Sequence, residues 1–203
     1  MAHSSSMENL SSHITPLDKI CKILYHKCMI YFIRHGQTDW NVRELMQGQT
    51  DIPLNDTGRL QAQQMAQSLQ GVTFDKVFWS PLCRAVETCK AVVSEQQIVL
   101  DSRLAERCFG EFEGESIYVM RARQFWNENA NQTFERAESL FQVIDRVYEF
   151  LDEIMHKYPH QNVLLVAHGG IGMVVQSYFC GKPTDGDYLK YLVANCQVLK
   201  FEN

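Results

Sequence analysis

Two histidines occur in closely similar surroundings in this chain of 203 residues. Each follows an apolar run and precedes a glycine, as Ile33-Arg34-His35-Gly36 and Val166-Ala167-His168-Gly169. One His-Gly pair is more often structural than functional, but two in matching contexts predict a shared site. In a parallel sheet both would project from the edge where ligands of α/β proteins bind, and where helix N-termini favour phosphate.

Two arginines are predicted to reach the same edge of the sheet. Arg34 directly precedes His35, and Arg84 lies in the first turns of the helix expected after Ser80-Pro81. An alternative interpretation places Arg84 on the surface, without a function. Together the two guanidinium groups have the planar geometry that suits the oxygens of a phosphoryl group.

An acidic candidate, Glu106, follows a short predicted strand and should also lie near that edge. In its protonated form it can donate a proton to a leaving alkoxide and later deprotonate water. The alternative is a structural ion pair with Arg103 or Arg107. Three nearby carboxylates are rivals for the same role: Glu111, Glu113 and Glu115.

The elements that must position these residues alternate between strands and helices. Apolar patterning predicts strands over 29–33, 75–79, 98–100, 162–167 and 194–201. It predicts helices over 58–69, 81–93, 116–127, 135–158 and 171–179, and loops over 39–55 and 103–115. This alternation predicts an α/β sandwich with a mostly parallel central sheet.

Composition limits the classes of partner. The net charge of −5 and the pI of 5.8 argue against a nucleic-acid surface, so an anionic substrate must be attracted by a local cluster of arginines. Seven cysteines without a CxxC pair indicate reduced thiols in a cytoplasmic protein and no zinc site. No apolar run is long enough for a membrane span, and no signal peptide is recognisable.

The segment Arg34-His35-Gly36-Gln37-Thr38-Asp39-Trp40-Asn41 closely resembles the signature of the histidine phosphatase superfamily, in its phosphoglycerate-mutase-like branch. The resemblance continues through further motifs that occur in the same order as in the family. The first are residues 47–54, Thr57-Gly58, and 80–85 together with Thr88. The later ones are Glu106-Arg107, Phe109-Gly110, Glu113-Gly114 and residues 167–170. It covers about residues 29–201, and so many ordered matches are far more specific than one short motif. The resemblance implies a three-layer α/β/α sandwich.

The resemblance also implies roles for the site residues. His35 is expected to be the nucleophile that becomes phosphohistidine, with an attacking nitrogen that is unprotonated at neutral pH and a second ring nitrogen that donates to a backbone carbonyl. Arg34, Arg84 and His168 are expected to surround the phosphoryl oxygens, and Glu106 to protonate the leaving group. Four further residues are expected to line the phosphate pocket: Asn41, Gln47, Gly48 and Gly169. Neither a metal nor another cofactor is implied.

Two reactions remain open, because water or a second hydroxyl can accept the phosphoryl group. Family mutases, which depend on 2,3-bisphosphoglycerate, carry a long basic insertion between the acid and the second histidine, whereas only 62 positions separate Glu106 from His168 here. Phe109 and Gly170 replace a tyrosine and an asparagine of the mutases. Arg121, Arg123 and Arg136 could bind a substrate carboxylate, but we interpret them as solvated charges. The short form favours a phosphatase of small phosphorylated metabolites.

A third possibility is a catalytically weak interaction protein on the same fold, which the retained nucleophile, acid and arginines argue against. A homodimer is compatible with the sequence.

The chain is predicted to have two parts. Residues 1–28 are predicted to be a tag remnant and an extension, which is partly disordered and partly helical, with the helix over 16–27. Residues 29–203 are predicted to form the histidine phosphatase domain, and Met7 and Met29 are further possible start residues.

Aromatic residues have two interpretations. Trp40, Phe78, Trp79 and Trp126 are interpreted as packing residues. Four residues in or after the loop that follows Glu106 are candidates for a partly apolar cap over the leaving group: Phe109, Phe112, Met120 and Phe125.

Overall fold

The computed structural model describes residues 28–93, 98–130 and 132–202. Their strands are β1 (Met29–Arg34), β2 (Lys76–Trp79), β3 (Ile98–Leu100), β4 (Asn162–Ala167) and β5 (Val198–Glu202). Their α-helices are α1 (Asp39–Val42), α2 (Asp56–Ser68), α3 (Cys83–Val92), α4 (Ile117–Ala122), α5 (Leu140–Lys157) and α6 (Gly169–Cys180), with 3₁₀ turns at Ser102–Leu104, Gly110–Phe112 and Tyr188–Tyr191. The predicted helix over 16–27, with nearly all of the predicted extension, lies outside the described residues.

The five strands form one sheet in the order β3-β2-β4-β1-β5. The first four are mutually parallel, and β5 runs antiparallel to β1 at one edge. β1 and β4 lie in the interior, which explains why both are continuous apolar runs rather than alternating ones. The predicted mostly parallel sheet is confirmed.

Helices cover both faces of the sheet, so the predicted three-layer α/β/α sandwich is confirmed. Ile30 and Phe32 of β1 point to the face covered by α5 and α6. Tyr31 and Ile33 point to the opposite face, which α2 and α3 cover. Successive strand side chains alternate between faces, so each interior strand contributes to two separate cores.

Several predicted boundaries are wrong because capping groups override apolar periodicity. The predicted helix over 135–158 begins only at Leu140, where Ser139 and Gln142 form a capping box. The predicted loop over 39–55 contains α1, which Thr38 and Asn41 cap in the same way. The helix predicted to start near Pro81 starts at Cys83, although no side chain caps its first turn.

Two further boundaries are corrected by left-handed residues. The predicted helix over 116–127 is reduced to α4 and a turn in which Gln124 has φ of 52°. The predicted last strand over 194–201 begins only at Val198, because Cys196 adopts φ of 55°. The Cys196 amide donates to the carbonyl of Arg34 (3.0 Å), which brings residues 194–197 against the end of β1.

The strand register aligns three loops at one sheet edge. Arg34 pairs with Ala167, and Trp79 pairs with Val166. The amide of His35 donates to the carbonyl of Ala167 (2.9 Å), so β1 and β4 end at the same level. Residues 35, 80 and 168, each the first after its strand, are therefore neighbours.

The described residues include six of the seven cysteines, and none of these six forms a disulfide. Burial raises the pKa of the Cys89 thiol to about 12, which keeps it protonated and unreactive. Within the described ranges, no helix has both the length and the apolar content needed to cross a bilayer.

Candidate active site

His35 is held at the end of β1 by its own local backbone. Its Nδ1 lies 2.7 Å from the carbonyl oxygen of Gly36, and because a carbonyl only accepts, Nδ1 carries the hydrogen. Nε2 therefore has the free lone pair. The expected tautomer is confirmed, and the imidazole, although buried, lines a cavity.

Glycine is required after His35 because the chain passes directly against the start of α2. A Cβ atom on Gly36 would lie 2.5 Å from the carbonyl oxygen of Gly58. The Gly36 amide donates to the hydroxyl of Thr88 (3.0 Å), and that hydroxyl donates to the carbonyl of Arg84 (2.7 Å). Thr88 thus ties the histidine loop to the helix that carries Arg84.

His168 lies opposite His35, as the sequence predicted, with ring centroids 5.2 Å apart. Its Nε2 lies 2.6 Å from the hydroxyl oxygen of Ser80. Its Nδ1 is buried and has no hydrogen-bond partner among the described residues. The two histidines therefore meet at one sheet edge, but of the two only His35 is among the residues that line the cavity.

Arg34 and Arg84 are both brought to this cavity. Arg34 donates from Nη1 to the carbonyl of Val193 (2.6 Å), and Arg84 donates to the carbonyls of Thr50 (3.0 Å) and Gly48 (2.7 Å). Among the described residues neither guanidinium has a carboxylate partner, and the Nε of each is buried without a hydrogen-bond partner. Arg84 is fully buried, so its interpretation as a surface arginine is wrong.

The electrostatics of the site favour an anion. Burial, followed by the positive charges of Arg84 and Arg34, holds the pKa of His35 well below its usual range. Burial and Arg84, with smaller effects of His35 and Arg34, do the same to the pKa of His168. Both imidazoles are therefore neutral at pH 7, and the two cations beside them, the buried Arg84 and the partly buried Arg34, contact no carboxylate of the described residues. Such a concentration of donors and positive charge suits a phosphoryl group.

Glu106 also lines this cavity. It follows β3, the edge strand at the opposite side of the sheet from β5. Its carboxylate accepts from the amide of Arg107 (2.8 Å) and from the amide of Gly170 (3.0 Å). The alternative ion pairs are wrong. Arg103 binds Asp101 and Glu153, and the Arg107 guanidinium donates to the carbonyls of Glu138 and Phe125.

The rival carboxylates have other positions. Glu111 and Glu115 are exposed. Glu113 accepts from the amides of Gln49 (2.9 Å), Thr50 (2.8 Å) and Phe109 (3.1 Å) and from the Thr50 hydroxyl. Glu113 therefore fixes the loop whose carbonyls hold Arg84.

The four residues predicted to line the phosphate pocket all line the cavity: Asn41, Gln47, Gly48 and Gly169. Gly48 has φ of 54°, and the Glu113 carboxylate occupies the place of its missing side chain. Gly169 lets the Arg34 guanidinium approach, since a Cβ atom there would lie 3.2 Å from its central carbon. Asn41 accepts from the side-chain amide of Asn195 (3.3 Å).

Three supporting residues were missed as site residues. Ser80 and Thr88 lie within the motifs that carry the family resemblance, so their positions carried a signal. Asn195 donates from Nδ2 to the carbonyl of His35 (2.9 Å) and also lines the cavity. No sequence pattern marks it, because its position depends on the turn at Cys196.

The cavity has a volume of about 260 Å³ and continues from the cationic end between mostly apolar walls. Trp126 is a buried core residue, as its interpretation as a packing residue predicts, and one edge of it also lines the cavity; Trp40 is partly exposed and lines the cavity too. Of the four predicted cap residues, Phe109 and Met120 line the cavity. Phe112 and Phe125 instead pack on Phe134 behind the wall.

Gly170 allows the wall to approach the acid. A Cβ atom at Gly170 would lie 2.4 Å from both Glu106 Oε1 and a ring carbon of Trp126. The Trp126 indole therefore lies directly beside the carboxyl group. Over the described ranges, no group of three or more histidine, cysteine, aspartate or glutamate residues could hold a metal ion.

Comparisons with known proteins agree with this geometry. The family model of the histidine phosphatase superfamily (branch 1) matches residues 30–203. The uncharacterised phosphatase PhoE of Bacillus subtilis is 34% identical over 69% of this chain and 71% of its own. The probable phosphoglycerate mutase GpmB of Cronobacter sakazakii is 28% identical over 85% of this chain and 84% of its own. Among solved structures, YhfR of Bacillus stearothermophilus superposes with a TM-score of 0.77 at 28% identity, over 85% of this chain and 90% of that chain.

Proposed function

Because the chain belongs to the histidine phosphatase superfamily (branch 1), we propose that it is a phosphomonoesterase that acts on small phosphorylated metabolites through a phosphohistidine at His35. The observation that carries this proposal is the His35 tautomer. Nε2 is free, and it opens into a cavity lined by Arg34, Arg84 and Glu106. The phosphatase-named relative PhoE supports the reaction class.

The first chemical step forms a bond between His35 Nε2 and phosphorus and breaks the ester P–O bond. Arg34 and Arg84, with the Nδ1 of His168, stabilise the charge on the phosphoryl oxygens. Protonated Glu106 gives its proton to the departing alkoxide, so the alcohol leaves neutral. These groups supply the positive charge that the transition state needs, so the proposed reaction is metal-independent and uses no cofactor.

The second step transfers the phosphoryl group from histidine to water. The ionised Glu106 takes a proton from the attacking water, the P–N bond breaks, and inorganic phosphate leaves. Glu106 is then protonated and His35 Nε2 is free again, so the cycle closes. Both steps use the same cavity, because the leaving alcohol and the attacking water occupy the same side of phosphorus.

The alternative, a 2,3-bisphosphoglycerate-dependent phosphoglycerate mutase, is supported by the similarity to GpmB. The cavity walls argue against it. Beyond the phosphoryl-binding end, Arg121 is the single basic residue among those that line the cavity. A bound bisphosphoglycerate would bring a second phosphate and a carboxylate against mostly apolar walls, which is costly without paired cations.

The proposal is tested with 4-nitrophenyl phosphate. Hydrolysis is expected in the native protein and in His156→Ala, which removes an exposed histidine from the last turn of α5. It is expected to be lost in His35→Ala. An acid-labile, base-stable phosphoenzyme should form with wild type and not with His35→Ala. Hydrolysis by His35→Ala at the native rate would overturn the proposal.

A second assay separates the two reactions. Phosphoglycerate isomerisation is measured with 3-phosphoglycerate, with and without 2,3-bisphosphoglycerate. We expect release of inorganic phosphate without stimulated isomerisation. Robust isomerisation that depends on 2,3-bisphosphoglycerate would show that the mutase alternative is correct.

A further inference from the structure

A second cavity continues the first one away from the phosphoryl-binding groups. Its volume is about 510 Å³. Five residues line both cavities: Met120, Arg121, Trp126, Leu189 and Leu192. Because these five residues belong to both walls, the two cavities adjoin one another, and we call the two together the path that leads away from His35.

The part of the path next to the catalytic groups is apolar. Its walls include Leu45, Phe109, Ile117, Met120 and Trp126. Apolar surface of this kind favours methylene groups over hydroxyl or charged groups. Complete burial of each added methylene is expected to raise the apparent affinity about fourfold.

The outer part of the path has a different character. Arg121 is exposed, and its side chain forms no hydrogen bond or ion pair with any described residue. The other charged residues near it each have a hydrogen-bond or ion-pair partner. Lys190 pairs with Asp185, the Asp187 carboxylate accepts from the amide of Leu189 (3.1 Å), and Glu44, which lines the first cavity, accepts from the Tyr118 hydroxyl (3.1 Å). Asp187 and Glu44 keep their negative charges, because a neutral donor does not cancel them, and Arg121 is the one cation of this part that pairs with no described residue.

Given the proposed phosphatase activity, on which this inference rests, we propose that the preferred substrates are phosphomonoesters with an apolar spacer and a carboxylate at the far end. The spacer lies along Trp126 and Met120, and the carboxylate pairs with Arg121 in the second cavity. A carboxylate close to the phosphate, as in phosphoglycerate, would instead face the apolar section. The leaving group is thereby recognised by length as well as by charge.

Two substrate series of equal length test this inference: n-alkyl phosphates and ω-carboxyalkyl phosphates. In the alkyl series kcat/KM should rise about fourfold for each methylene that is buried, and then level off. The carboxylate should lower kcat/KM at short lengths, and beyond a threshold length it should raise kcat/KM about fivefold, as expected for a partly exposed ion pair.

Two variants supply a matched comparison. Arg121→Met keeps much of the apolar stem and should abolish the gain that the carboxylate gives over the alkyl chain of equal length. Arg123→Met removes one charge from the same segment, but the Arg123 guanidinium lies over the rings of Phe112 and Phe134 and lines neither cavity. The Arg123→Met variant should show the same gain in kcat/KM from the carboxylate as wild type.

A second comparison tests the spacer. Leu192 and Leu60 are 51% and 54% exposed, but of these two only Leu192 lines the path. Leu192→Gln should flatten the dependence on alkyl length, whereas Leu60→Gln should leave it unchanged.

The outcomes separate the two proposals. If wild type hydrolyses neither series nor 4-nitrophenyl phosphate, the phosphatase proposal itself is wrong. If it hydrolyses 4-nitrophenyl phosphate but shows no gain from the carboxylate at any length, or if Arg121→Met and Arg123→Met behave alike, the substrate inference alone is overturned.

Discussion

The hydroxyl oxygen of Ser80 lies 2.6 Å from Nε2 of His168, and both atoms are buried at the carboxyl edge of the sheet. The same hydroxyl oxygen accepts from the amide of Leu82 (3.3 Å). Ser80 can therefore donate its own hydrogen to Nε2. The imidazole hydrogen then resides on Nδ1, the ring nitrogen that has no partner among the described residues. In this way Ser80 fixes the tautomer of the neutral His168 and leaves a hydrogen on Nδ1 that no described residue accepts.

Removal of this hydroxyl should impair the reaction. We expect Ser80→Ala to lower kcat/KM about tenfold, because a buried hydrogen-bond partner is lost and the tautomer is no longer fixed. Ser80→Thr, which keeps the hydroxyl, should recover much of the activity. Ser177→Ala removes another buried serine hydroxyl, one that donates to Val174 on α6, and should leave kcat/KM unchanged. Equal activity of Ser80→Ala and wild type would contradict this role.

Stability should depend on pH through the two site histidines. Their pKa values are held well below the usual range in the folded protein and return to about 6.5 on unfolding. Below about pH 6.5 the unfolded chain therefore binds more protons. The free energy of unfolding is expected to be unaffected by these groups above pH 6.5 and to fall as the pH drops below it, by up to about 1.4 kcal/mol per pH unit for each histidine.

Urea denaturation between pH 8 and pH 4.5, in phosphate-free buffer, measures this dependence. His168→Asn should make the free energy of unfolding depend less steeply on pH. His156→Gln, a change at an exposed position on α5, should keep the wild-type pH dependence. Identical slopes for His168→Asn and wild type would rule out a contribution from the buried imidazole.

A side chain at Gly170 should selectively impair proton donation. A Cβ atom there would overlap Glu106 Oε1 and the Trp126 ring, so Gly170→Ala must displace the acid or the indole. Alkyl phosphates need a proton on the leaving oxygen far more than 4-nitrophenyl phosphate does. We therefore expect kcat/KM to fall at least about tenfold more with hexyl phosphate than with 4-nitrophenyl phosphate.

Gly172→Ala is the matched control for this prediction. It also lies on α6, but its Cβ atom would meet Phe32 and Val193 (2.7 Å each) instead of the acid. It should reduce stability and leave the ratio between the two substrates unchanged. Parallel losses on both substrates in Gly170→Ala would show that the effect does not act through Glu106.

Glu113 should affect substrate binding without contacting substrate. It fixes the loop whose Gly48 and Thr50 carbonyls hold Arg84. Glu113→Gln replaces one acceptor oxygen by a donor, so we expect KM to rise about tenfold and the free energy of unfolding to fall by about 1–3 kcal/mol. Steady-state kinetics and urea denaturation measure the two effects. Glu111→Gln, at an exposed position two residues earlier, should change neither.

The sequence by itself determined which residues could carry the chemistry and which elements present them. His35 and His168 were recognisable because each ends an apolar run before a glycine, and α/β order follows from alternating strand and helix patterns. These signals are local, since they depend on neighbouring residues in the chain. Element boundaries were less accurate because single groups, such as the Ser139 cap or the left-handed Cys196, end periodic segments.

Tertiary structure alone decided the relations between distant residues. The contact of Ser80 with His168, the Asn195 bond to the carbonyl of His35, and the position of Trp126 against Gly170 join residues that are 44 to 160 positions apart. Of the three arginines interpreted as solvated charges, Arg121 alone lines the cavities. No local pattern encodes such contacts, because they depend on strand register and on how the segment after Glu106 packs over the sheet edge.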